Sequence, residues 1–519
     1  MKRRDFLKAT GLAAVLPFCE GLIAAGGKRP NLVIIHTDEH NFRTLGCYRA
    51  LMSKEQALMW GDAVVETPNI DWLAKNGAVC TSFYATTPVC SPSRAAFVSG
   101  RYPHNTPVVT NNIALDDDII TFAEILRRAG YATGYAGKWH LDGGGKPQWA
   151  PKRKFGFEDN RYMFNRGHWK QLEDTSDGPR IKARNAGGGA SYSVKGADAK
   201  SFTTDFLADK TVEFVKAHRD EPFCYMVSLP DPHGPDTVRE PYDTMFKSQT
   251  YKTPRTFDKA LENLPSWARP TGRFNGMALY YGMVKCIDDN VGKILKVLRA
   301  DRLIDNTIVV FTADHGDLRG EHHRQNKGVP FEGSAKVPFV IYYPGKIKGG
   351  TVIGETLGCV DFLPTILSLM GVRTAGKEQG RDASRLFTAG KAPAGWEDIT
   401  FVRSTGGQGI WLAAISGRYK LIYSGQDDPW LFDLDEDPDE LVNAFCKADC
   451  RETVRTMSRQ LLAYGKKYGD LYIDNTRIAA DLAWAIDGSG AYVPQQTLKP
   501  ATPPTRKRGG RKATRKTKT

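Results

Sequence analysis

Residues 31–40 read NLVIIHTDEH, an apolar, β-branched run from Asn31 to Thr37 that stops at Asp38, Glu39 and His40. A continuous run of this kind reads as a strand buried on both faces, as in a parallel sheet, because a half-exposed strand would alternate. Three further runs follow the same plan. Residues 307–313 (TIVVFTA) stop at Asp314, His315, Gly316 and Asp317; residues 222–229 (PFCYMVSL) run into Pro230, Asp231, Pro232 and His233; residues 131–135 (YATGY) run into Lys138, Trp139 and His140. Helical patterns separate them, so the expected class is α/β with a mostly parallel central sheet. In such sheets ligands bind beyond the carboxyl ends of strands, and four strands that finish in Asp, His or Lys predict one shared pocket.

A second stretch, PVCSPSRAAFVSGR at residues 88–101, supplies a helix start. Ser91 suits the N-cap, Pro92 the first helical position, and Gly100 the stop. Cys90 then sits at the positive end of the helix dipole, where anions are stabilised and a thiol's pKa falls. A nucleophile, an anion site and a buried structural cysteine are the readings open at this point. Asp38, Glu39, Asp314 and His315 offer mostly hard oxygen ligands without a thiolate cluster, which suits calcium, with magnesium as the alternative, better than zinc. Arg94, Lys138 and Lys327 add fixed positive charge. A divalent ion and these cations around a helix N-terminus make a site for a polyoxygen anion such as sulfate or phosphate. His140 and His233 are the candidates for proton transfer.

The chain has 519 residues, 41% of them hydrophobic, enough for a large core and more than one domain. Of the net charge of +14, the last fourteen residues carry +8 and the first twenty +2, which leaves +4 for the body. The basic balance belongs to the ends, so no nucleic-acid partner is expected. Lys2-Arg3-Arg4-Asp5-Phe6-Leu7-Lys8 followed by a short, interrupted apolar stretch matches a twin-arginine export signal over residues 1–27. The expected location is therefore periplasmic or extracellular, with the export machinery as a partner and no stable transmembrane segment. A lipid anchor through Cys19 is the alternative form. Nine cysteines show no disulfide framework. Residues 28–385 are read as the large domain and 395–470 as a smaller α+β subdomain, with strands near residues 411–415 and 419–423 and a helix over 454–468. The Pro-, Thr-, Lys- and Arg-rich residues 498–519 are read as a disordered basic tail.

The residues Cys90-Ser91-Pro92-Ser93-Arg94, followed by Gly100-Arg101-Tyr102-Pro103, resemble the signature of the type I, formylglycine-dependent, arylsulfatase-like sulfatases of the alkaline phosphatase superfamily. The resemblance extends through Thr67-Pro68-Asn69-Ile70-Asp71, Gly137-Lys138-Trp139-His140, Thr312-Ala313-Asp314-His315-Gly316, Lys327 with Val337-Pro338, and Trp430-Leu431-Phe432-Asp433, all in family order. It implies an alkaline-phosphatase-like large domain with a smaller C-terminal α+β subdomain. It also implies that Cys90 is oxidised to Cα-formylglycine by a maturation enzyme, and that Arg94 holds the hydrate of that aldehyde. Asp38, Asp314 and His315 would ligate a divalent metal, expected to be Ca2+, with Mg2+ the alternative. Glu39 stands where the family more usually has aspartate. Lys138 and Lys327 would grip sulfate, His233 would assist the leaving alcohol, and His140 would deprotonate the second hydroxyl.

The function expected is sulfuric ester hydrolysis on a sulfated carbohydrate. Basic and aromatic residues interleave over Lys152–Phe155, Arg161-Tyr162 and Asn165–Lys170, a composition that suits sulfated sugars, and Arg319, His322 and His323 are further candidates to line the pocket. Two alternatives remain: a phosphodiesterase or phosphonate monoester hydrolase of the same superfamily, and a non-catalytic binder of sulfated glycans.

Overall fold

A computed structural model describes residues 28–257, 264–407 and 409–494. The expected export signal, with Cys19, and the expected basic tail at 498–519 lie outside the described residues. Among those described, no helix is long and apolar enough to cross a membrane, and the cysteines are free.

The run that opens the sequence forms β1 (Asn31–Asp38), and every one of its residues is buried. It lies inside an eight-stranded sheet with β2 (Ala78–Cys80), β3 (Ala132–Lys138), β4 (Asp159–Phe164), β5 (Phe223–Pro232), β6 (Thr307–Ala313), β7 (Phe339–Tyr342) and β8 (Thr351–Ile353), ordered β8-β2-β7-β6-β1-β5-β3-β4. Only β7 opposes its neighbours; the other strands run in one direction. Both faces are covered. Leu32 and Ile34 join one core, with the helices Cys90–Ser99 and Phe362–Leu369, while Val33 and Ile35 join another, with Thr203–Ala217 and Ala278–Ala300. Leu32 to Ile35 place apolar side chains on both faces of β1, which is the reason this sheet is sandwiched between helices.

The expected fold class is observed. An antiparallel sheet of β9 (Ile399–Arg403), β10 (Trp411–Ser416), β11 (Tyr419–Ser424) and β12 (Trp430–Asp433) follows the large sheet. Helix Arg451–Tyr468 packs on it, and a second helix, Thr476–Asp487, extends this C-terminal part beyond the expected boundary at 470. Asn475 caps that second helix through its side chain.

The helix after the second stretch begins two residues earlier than its capping residues suggest. Cys90 itself is the first helical residue and Val89 the N-cap, without a side-chain cap. Ser91 is not the cap, because its amide donates to Asn111 Oδ1 (2.9 Å) and its hydroxyl to the His140 carbonyl (2.8 Å), both distant in sequence. Tertiary partners replace the local cap. Gly100 ends the helix at φ 65°, as its position predicts.

At the end of β3, Gly137 adopts φ +103°, and a Cβ there would stand 1.9 Å from the Ser228 carbonyl oxygen of β5. Only glycine lets β3 approach β5 and deliver Lys138 to the sheet's carboxyl edge. Gly137→Ala is expected to lower stability by about 2–5 kcal/mol through strain and overpacking, measured as a shift in the urea midpoint.

Candidate active site

The register of β1 on β6 runs unbroken from Asn31 opposite Thr307 to Thr37 opposite Ala313. The next residues, Asp38 and Asp314, therefore emerge side by side at the carboxyl edge. The Asp314 amide donates to the Thr37 carbonyl and the Glu39 amide to Asp314 Oδ1, each at 3.1 Å. The N-terminus of helix Cys90–Ser99 points at this pair. Cys90 Sγ lies 3.8 Å from Asp38 Oδ1 and 3.2 Å from His315 Nε2. One ligand atom from each of Asp38, Cys90, Asp314 and His315 falls within 4.8 Å of the others, and all four residues are buried.

Arg94 follows Cys90 by one helical turn and so lies on the same face. Its Nε donates to Asp314 Oδ2 (2.8 Å) and its Nη2 to Asp38 Oδ2 (3.0 Å). Its Nη1 donates to the Lys138 carbonyl and the Ser228 hydroxyl, both at 2.7 Å. Lys138 pairs with the same Asp38 oxygen and reaches His168 Nε2 at 2.9 Å. Burial and Asp38 oppose the Cys90 thiolate, yet Lys138, Lys327 and His315 hold its pKa well below the ordinary thiol value. The site is built to carry negative charge at residue 90.

Across the pocket, Glu39 Oε2 meets His233 Nε2 at 2.9 Å and Lys327 Nζ at 3.1 Å, and Lys327 reaches His233 Nε2 at 2.8 Å. The Glu39 backbone is held at φ 61°, with its carbonyl accepting from the Tyr280 hydroxyl at 2.8 Å. Its second oxygen, Oε1, is buried with no protein partner. Glu39 stands outside the group of four, and this free oxygen is what it offers a cation. The donor set of carboxylates and an imidazole fits a divalent ion.

The two candidate proton carriers are tuned apart. Burial lowers the His233 pKa, but the Glu39 carboxylate outweighs it and raises the value above that of a free histidine. Burial lowers His140, Lys138 lowers it further, and contact with Cys90 recovers only part. One imidazole is thus biased towards protonation and the other towards neutrality, the separation that acid–base chemistry requires.

All ten residues expected from the sequence meet at this edge. His168 was missed in that role: its ring stacks on His233 at 3.6 Å and 10°. Asn112, whose Oδ1 meets His140 Nε2 at 3.1 Å, and Ser228 were missed as well. Asn165 also touches the site, its carbonyl accepting the His140 amide at 2.7 Å, while several other charges of the basic-aromatic segment are spent elsewhere. Arg153 binds the carbonyls of Leu115 and Ile119, Lys154 pairs with Glu158, Arg161 with Asp174, and Lys170 is buried against Asp231 at 2.6 Å. Phe155 and Trp169 are core residues. His322 stacks on Phe331 and His323 on Phe257, so both serve packing, while Arg319 pairs with Asp236 at 2.7 Å.

The family model described as Sulfatase matches residues 30–372, and that described as N-sulphoglucosamine sulphohydrolase, C-terminal, matches residues 320–467. The chain belongs to the sulfatase family. This sulfatase is 32% identical over 370 residues to the ulvan-active sulfatase of Formosa agariphila, an alignment covering 69% of the chain and 65% of that relative's length. It is 25% identical over 521 residues to the N-acetylglucosamine-6-O-sulfatase of Bacteroides thetaiotaomicron, covering 85% and 87% of the two chains. The solved structure of the yidJ protein of Bacteroides fragilis superposes with a TM-score of 0.71 at 25% identity, over 88% of this chain and 99% of that one.

Replacing Arg94 by Met leaves Asp38 and Asp314 buried and short of a counter-charge. The metal-free variant is expected to lose about 3–5 kcal/mol in chemical denaturation, as for a broken buried ion pair. An unchanged midpoint would show that the sheet edge does not depend on this arginine.

Proposed function

We propose that this sulfatase hydrolyses sulfate esters of a sulfated carbohydrate, with Cys90 converted to Cα-formylglycine and a divalent metal, calcium by preference, held by Asp38, Asp314 and His315. Glu39 is the further ligand, through its unpartnered Oε1. The observation that carries this reading is the convergence of residue 90, Arg94, Lys138 and the four-donor group at one helix N-terminus.

The aldehyde hydrate at position 90 would supply both the attacking hydroxyl and a second hydroxyl through which sulfate leaves by elimination, and the metal would lower the charge cost of both. Arg94 orients residue 90 and balances the carboxylates beneath it. Lys138 and Lys327 bind sulfate oxygens, a task for which ammonium donors on opposite sides of the pocket are suited. One hydroxyl of the hydrate would lose its proton to solvent and form the new S–O bond as the ester S–O bond breaks, and His233, biased towards protonation, gives its proton to the departing alcohol oxygen. His140, held neutral and against residue 90, takes the proton of the second hydroxyl, so that the C–O bond to sulfate breaks and the carbonyl returns. Water then restores the hydrate. The preference for a sugar substrate draws on the named activities of the relatives; export to the periplasm or beyond, with a twin-arginine signal and a maturation enzyme as partners, is proposed from the sequence.

Phosphonate and phosphate ester hydrolysis is the rival chemistry for the same constellation. Turnover of aryl sulfate, aryl phosphate and phenylphosphonate esters by the matured enzyme is expected to favour sulfate, and a panel of defined sulfated sugars then assigns the substrate. Preference for phosphonate would overturn the reading.

Cys90→Ala is expected to abolish turnover, and mass spectrometry of the peptide containing residue 90 is expected to find the aldehyde in active wild-type protein. An unmodified thiol throughout active material would refute the mechanism. His140→Ala is expected to stall after one turnover as a sulfated enzyme, detectable in the intact mass.

A further inference from the structure

Lys327 sits on a turn whose next residues belong to a different part of the fold. Val329, Phe331 and Ala335 are buried in one apolar cluster with Trp411, Ala413, Ile415, Ile422 and Phe432 of the C-terminal sheet. In the middle of that apolar contact lies a charged group. Lys420 of β11 is fully buried, and its Nζ donates to the Pro330 carbonyl (2.8 Å), Glu332 Oε1 (2.7 Å) and Glu440 Oε1 (2.6 Å). Glu440 closes the arrangement, its Oε2 accepting the Glu332 amide at 2.7 Å. Glu332 also accepts from the Tyr84 hydroxyl at 3.3 Å and pairs with Lys336.

A buried lysine whose three donors are all used is costly to place and contributes little net stability against an apolar replacement, so its value is geometric. The geometry here is specific. One donor is spent on a backbone carbonyl three residues after Lys327, and the partner carboxylate holds a backbone amide two residues further on. The same segment touches the metal side of the pocket. The Gly316 amide, next to His315, donates to the Ser334 carbonyl at 2.9 Å, and a Cβ on Gly316 would lie 2.2 Å from the Gly333 carbonyl oxygen.

We propose that Lys420 and Glu440 are positioning residues: they form a latch through which the C-terminal sheet fixes the 327–335 segment, and with it Lys327 and the loop carrying His315, in the geometry the reaction needs. The C-terminal part of the chain would then be a working component of the active site, although none of its described side chains is among the pocket contacts given above. This inference rests on the proposed sulfatase chemistry only for its kinetic readout.

The test uses the full, matured chain and four proteins: wild type, Lys420→Met, the double variant Lys420→Met/Glu440→Gln, and Val454→Ala. Val454 is a fully buried residue of helix Arg451–Tyr468 that belongs to the cluster of Leu421 and Tyr423 and not to the one that holds Val329, Phe331 and Ala335, so its replacement lowers stability on the other side of the sheet. Hydrogen exchange by mass spectrometry, without substrate, is expected to speed up over residues 327–335 in both Lys420 variants and not in Val454→Ala. On an aryl sulfate, kcat/KM of both Lys420 variants is expected to fall about 10- to 100-fold well below their melting temperatures, with Val454→Ala close to wild type. Unchanged exchange over 327–335 overturns the latch. Equal kcat/KM losses in Lys420→Met and Val454→Ala overturn it too, as does full recovery in the double variant, which would trace the defect to an unbalanced carboxylate. Wild-type protein that fails to hydrolyse the ester counts against the proposed function alone, since the exchange result is independent of turnover.

Discussion

Two carboxylates at adjacent strand ends, Asp38 and Asp314, are fully buried, and the bridge that Arg94 makes between them is the constraint on which the site depends. Adjacent buried anions repel, and ionised groups of this kind persist only when paired and hydrogen-bonded. Arg94 satisfies both with one planar fork while its remaining donors tie it to β3 and β5. The helix that carries Arg94 is thereby fixed, and Cys90, one turn earlier, is set against Asp38 and His315 at the sheet's carboxyl edge. Lys138 adds the further positive charge that keeps Asp38 ionised.

The pocket has two halves of different character. Around Cys90, side chains from β1, β3, β6 and one helix make an anion-stabilising, cation-binding floor. Around Glu39, the groups are His233, Lys327 and His168, held together by ion pairing and ring stacking. Glu39 joins the halves, one oxygen spent on His233 and Lys327 and the other free. Glutamate in place of the more usual aspartate has the reach for both.

Much of the fold was legible in the sequence for a local reason. A strand buried on both faces carries a run of apolar residues without alternation, so β1, β5 and β6 announce themselves, and the point where the run stops marks the edge at which the candidate site residues meet. All ten expected site residues come from such stops or from the Cys90 motif and Lys327. Errors arose where a residue's partner is distant in sequence. Ser91 looks like an N-cap, but Asn111 and His140 claim its amide and hydroxyl. The residues of the Lys152–Lys170 segment look like a sugar platform, but Asp231, Asp174 and backbone carbonyls consume their charges. His168 is the reverse case: its segment stood out for basic and aromatic residues, but only the packing of its loop lays this ring on His233.

What the sequence determined by itself was the class of fold and the set of polar groups that meet at the sheet's carboxyl edge, because hydrophobic runs and the points where they stop are local patterns. The tertiary structure decided which oxygen of Glu39 stays free, which imidazole is biased towards the proton, and that β11 reaches through Lys420 to the turn after Lys327. Those outcomes depend on distances between groups tens or hundreds of residues apart, set by strand register and by burial, and no local pattern encodes them.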